Sequence, residues 1–81
     1  MGFVWNNFGT LSKVEKTTSY IIITNHKGYE RKMSRHKYQE SAEWVYKASL
    51  ELIGKEVEIR TSQNTSDWST SEWFSDIDLV I

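Results

Sequence analysis

The hydrophobic period changes twice along these 81 residues, and the two changes bound what the chain can fold into. From about Ser34 or His36 to Ile53, the apolar positions Tyr38, Ala42, Val45, Ser49 or Leu50, and Leu52 or Ile53 follow one helical stripe, widened by Tyr46. No Gly or Pro interrupts it. Ser34 is a residue type that caps helix N-termini, and Gly54 stands where a C′ glycine stops a helix. On either side the period is two. Tyr29, Arg31 and Met33 alternate with Glu30 and Lys32, and Val57 and Ile59 alternate with Glu56, Glu58 and Arg60. One helix therefore divides two groups of strands.

The remaining strands follow from run length and turn chemistry. Phe8 to Glu15 carries Phe8, Leu11 and Val14 without clean alternation, which predicts a bent or bulged strand with Gly9 at the irregular point. Tyr20 to Thr24 is β-branched and aromatic throughout, a strand expected to be covered on both faces or nearly so. Lys16–Ser19 and Asn25–Gly28 read as the turns that flank it. Ser62–Glu72 is a Ser/Thr-rich loop that holds Trp68, and Trp73–Val80 alternates as a last strand. The fold expected is mainly β with one helix, in the order β-β-β-α-β-β, as a single domain over residues 1–81.

Composition narrows the class. An aromatic share of 14% supplies apolar area that a disordered chain lacks, and zero cysteines exclude disulfide staples and cysteine-held zinc. Neither a secretory leader nor a membrane span is expected, because Ile21–Ile23 is the longest aliphatic run. A soluble, cytoplasmic domain is the resulting expectation. The net charge of −1 argues against attachment to nucleic acid by bulk charge. Charge is nevertheless uneven: Lys27, Arg31, Lys32, Arg35 and Lys37 surround Glu30, whereas residues 54–81 are acidic.

The glycine of the first strand (Gly9), the strand-turn-strand Tyr20–Met33, the run Gly54-Lys55-x-Val57-x-Ile59 after the helix, and the closing Trp73–Val80 together resemble the OB-fold, the oligonucleotide/oligosaccharide-binding fold. The likeness spans nearly the whole chain, in element order and pattern. It implies a five-stranded Greek-key barrel; the competing arrangement is an open antiparallel α+β sheet with the helix packed across one face. It also implies a ligand site on the exposed face of the second and third strands, between the Lys16–Ser19 and Ser62–Glu72 loops.

Single-stranded nucleic acid needs stacking rings among cations. Tyr20, Tyr29 and Trp68 are the candidate platforms, and Lys16, Lys27 and Arg31 the candidate phosphate partners. Core packing competes for both tyrosines, and a solvated face for the basic run. Trp44 falls off the helix's apolar stripe, towards Glu40, Lys47 and Glu51, and is the candidate for protein interaction or self-association. Catalysis is not expected. His26 and His36 lack a carboxylate at ligand spacing, Asp76-x-Asp78 offers two ligands only, and neither a nucleophile elbow nor a phosphate loop is present. The expected function is a non-catalytic binding module that grips single-stranded nucleic acid across the second and third strands, without metal or cofactor; the alternative is a protein-interaction domain, as an adaptor, a homo-oligomer subunit or a small inhibitor.

Overall fold

The computed structural model describes residues 5–61 and 74–80. Its elements are β1 (Asn6–Lys16), β2 (Tyr20–Asn25), β3 (Glu30–Ser34), α1 (Arg35–Tyr38), α2 (Glu40–Glu51), β4 (Glu56–Thr61) and β5 (Phe74–Leu79). The five strands form one antiparallel sheet in the order β3-β2-β1-β4-β5. Mainly β with one main helix is the observed class. The sheet is not closed into a hydrogen-bonded barrel. A flat five-stranded sheet would hold its outer strands roughly 19 Å apart, yet β3 and β5 come within 8 Å of one another at Cα. The sheet is therefore strongly curved. No helix among the described residues is long and apolar enough to cross a membrane.

β1 makes the curvature possible because it serves both halves, pairing with β2 through its second half and with β4 through its first. The irregularity expected at Gly9 is there: register against β4 shifts between Asn7 and Gly9, with Gly9 at φ +83°. A second shift, between Leu11 and Lys13, appears against β2. Two bulges turn Phe8 and Leu11, three apart in sequence, to the same buried side.

The core joins that side of the sheet to one face of α2. Ile21, Ile23, Met33, Val57, Ile59, Phe74 and Ile77 meet Ala42 and Val45 there. Two sequence expectations are corrected. β2 is not covered on both faces: Ile21 and Ile23 are buried, Ile22 and Thr24 only half-buried, and Tyr20 exposed. β5 does not alternate strictly. A shift in its pairing with β4, where Arg60 faces Asp76 and Thr61 faces Phe74, leaves Ser75 as the extra residue, so Phe74 and Ile77 both point inward.

The single helix expected from Ser34 to Ile53 is instead broken at Gln39, which adopts φ +47°. Ser34 does cap the first segment, its hydroxyl accepting from the Lys37 N–H at 3.2 Å. α2 ends at Glu51 rather than against a C′ glycine. Gly54 closes the turn beyond it at φ +88°, donating its N–H to the Leu11 carbonyl at 2.7 Å. The chain then enters β4 directly beside β1.

Asn25 closes the other end. Its buried side chain donates to the Phe8 carbonyl at 2.8 Å and accepts from the Lys27 and Tyr29 N–H groups, each at 3.0 Å. One amide thus ties the β1 bulge to the β2–β3 turn. Asn25→Ala strands the buried Phe8 carbonyl and loosens the turn, and should cost about 2–3 kcal/mol of stability in urea denaturation. A loss below about 0.5 kcal/mol would show that this amide carries none of that role.

Candidate interaction surfaces

Register decides which side chains share a face, because directly opposed residues on paired strands point the same way. Ile21 faces Met33 and Ile23 faces Arg31, so Arg31 lies on the core side of the sheet. There its guanidinium sits 5.9 Å from the Phe8 ring centre and donates to the Glu30 carbonyl. Tyr20 faces Ser34 and Ile22 faces Lys32, which places these residues on the opposite, outer side. Tyr29, one residue before β3, continues the Arg31 side and is 60% exposed, with its carbonyl bonded to the Asn25 N–H. Tyr20 and Tyr29 therefore do not form one stacking platform, a correction to the sequence expectation. Strand alternation is the physical reason: an even and an odd position cannot share a face in this register.

The cations separate as well. Lys27 is exposed in the β2–β3 turn beside Tyr29, His26 and Asn25, at the edge of a recess of about 220 Å³. Lys16, opposite Ile21, reaches α2 rather than a free groove. Its ammonium lies 3.3 Å from Glu43 and 4.7 Å from the Tyr46 ring centre. Trp68, the third candidate platform, lies outside the described residues. What the outer face of β1–β3 carries is mixed: Lys13 and Glu15 in a 3.0 Å ion pair, then Tyr20, Ile22, Thr24, Glu30 and Lys32. Its two cations are matched by two carboxylates. Lys32 lies 5.8 Å from the Tyr20 ring centre on this face.

Glu43 organises the junction between α2 and the β1–β2 turn. It accepts from Arg35 at 2.8 Å and from Lys16 at 3.3 Å, while Arg35 also donates to the Thr17 and Thr18 carbonyls. The hydrogen bonds from Arg35 and then Lys16 hold the Glu43 carboxyl below the ordinary carboxylate range. This network uses Arg35 of the basic run, together with Lys16 of β1, as helix anchors.

The outer side of α2 is different. Trp44 is 70% exposed, the most exposed large hydrophobic side chain among the described residues. Lys47 sits 5.5 Å from its ring centre. Recesses open on both sides of the indole. One, of about 310 Å³, is lined by Trp44, Lys47, Ala48 and Glu51. The other, of about 350 Å³, lies between α2 and the β4–β5 ribbon and is lined by Tyr38, Ser41, Val45, Arg60, Ser75 and Asp76 with Trp44. Arg60 and Asp76 pair at 3.3 Å in its wall. Sequence reasoning found Trp44 from its place off the apolar stripe but missed Arg60 and Asp76, which only the β4–β5 register brings to the helix. Among the described residues, no group of three or more His, Asp or Glu side chains could hold a metal ion.

The chain matches no protein-family model, no curated protein and no solved structure.

The depressed Glu43 titration gives a pH signature. A carboxylate whose folded pKa is lowered adds stability above its unfolded value, and that contribution disappears as pH falls through the folded value. Glu43→Gln should therefore be less stable than the parent at pH 7. The gap should narrow as pH drops below about 4.3, the ordinary glutamate value. Urea midpoints measured from neutral to acid pH test this; a gap that stays constant or widens in acid would contradict the clamp.

Proposed function

We propose that this chain is a non-catalytic binding module that docks a protein partner on the outer side of α2, with Trp44 as the anchor. The single observation that carries this reading is an exposed Trp set between two recesses on the outer side of α2. Trp is the residue type most enriched at the energetic centres of protein interfaces, where truncation costs 2 kcal/mol or more. The charge pattern supports the same choice. Nucleic-acid binding calls for a continuous positive groove, whereas the outer face of β1–β3 carries Lys13 and Lys32 among Glu15 and Glu30.

The sheet is read here as an OB-like barrel whose seam lies between β3 and β5. The strand order, the bulged β1 shared by both halves, and the approach of the two edges support that reading. In such a barrel α2 covers one side of the sheet and leaves the outer face of β2 and β3 open. Tyr20 with Lys32 on that face favours a second reading, a weak single-stranded nucleic-acid contact.

Two measurements separate the readings. A photoreactive side chain at position 44, expressed in the source cell, should form discrete protein adducts, and the same probe at position 13 should not. Adducts at 13 and none at 44 would move the surface to the sheet. Titration with single-stranded oligonucleotides at two salt concentrations should leave the intrinsic fluorescence unchanged. Saturable, salt-dependent quenching that Tyr20→Ala abolishes would overturn the protein reading.

A further inference from the structure

Two charges on the outer side of α2, Glu40 and Lys47, are opposite in sign and flank Trp44 along the helix, with the exposed Glu51 one turn beyond Lys47. Glu40 precedes Trp44 by four residues and Lys47 follows it by three. These spacings put the three side chains on one side of a helix. The small residues Ser41 and Ala48 stand at matching offsets on the other flank of Trp44, three before and four after. All five are exposed or, in the case of the indole, 70% exposed. Such a face is complementary to itself, but in one orientation only.

We infer that the protein partner is a second copy of this chain, and that two α2 helices pack antiparallel about a twofold axis through Trp44. This inference rests on the protein-docking reading above. Antiparallel packing about that axis brings Glu40 of each copy opposite Lys47 of the other, so the pair forms twice. Ser41 and Ala48 oppose one another on the second flank, where their small size lets the backbones approach. The indoles meet near the axis, each beside the recess that the other copy carries. A parallel pairing about a twofold axis carries the two charged flanks to opposite sides of the seam, where each faces Ser41 and Ala48 of the other copy and forms no ion pair, so the charges favour the antiparallel form.

Sedimentation velocity from about 1 µM to about 1 mM tests the inference. The mass should rise towards twice that of the chain, and added salt should weaken the association, as exposed ion pairs require. Glu40→Lys or Lys47→Glu alone should raise the dissociation constant about tenfold, and the double variant should restore it to within about threefold of the parent. Trp44→Ser should remain monomeric throughout, with unchanged circular dichroism because the side chain is exposed. A parent chain that stays monomeric at about 1 mM, or a double variant no better than either single, overturns the inference. If the monomeric chain still forms adducts with another protein through position 44, the self-association is overturned while the docking reading stands. Monomer without adducts at 44 removes both.

Discussion

The side chain of Asn25 holds three pieces of backbone at once, and the arrangement of this molecule follows from it. Its amide bonds to the Phe8 carbonyl in the bulged part of β1 and to two N–H groups of the β2–β3 turn. Buried polar groups that lose their partners are costly, so a buried amide with both ends engaged leaves the turn little freedom to slip. Without slippage, the register of β2 against β3 is set, and with it the side of the sheet on which each residue lies. Because Phe8 belongs to the half of β1 that runs beside β4, the same amide also joins the two halves of the curved sheet.

The second constraint is where the helix can rest. Ala42, Val45 and Ser49 are buried against the sheet, and the Ser49 hydroxyl turns back to the Val45 carbonyl. Glu43, gripped by Arg35 and Lys16, ties α2 to the β1–β2 turn. The break at Gln39 separates the short segment capped at Ser34 from the helix that carries the core contacts. Once α2 is seated on the core side, its opposite side must carry whatever the helix leaves over. That remainder is Trp44, set beside a recess whose far wall belongs to β4 and β5. The proposed docking surface is thus a by-product of how the core was filled.

The same geometry explains why the basic residues of positions 27–37 do not act as a block. Alternation sends Arg31 under the sheet and Lys32 over it, and the helix junction takes Arg35. A run that reads as one patch in the chain becomes several separate contacts in space. Its residues on β3 sit at a sheet edge, where charged side chains also discourage pairing with another chain's strand. Lys16 shows the reverse case. It reads as a loop cation, yet it lies opposite Ile21 and is drawn to a carboxylate and a ring on α2.

What the sequence determined by itself were the features governed by near neighbours. Strand and helix periods, the Ser34 cap, the turn at Asn25–Gly28, the irregularity at Gly9 and the outward placement of Trp44 depend on spacings of four residues or fewer. Each is set by local sterics and hydrogen bonding. Tertiary structure alone decided the features that depend on pairing across the chain. The faces of Tyr20 and Tyr29, the inward turn of Phe74 and Ile77, the kink at Gln39 and the meeting of Arg60 and Asp76 with α2 all belong there. A bulge or kink shifts every later side chain to the other face, and nothing in the local pattern records where the partner strand will demand one.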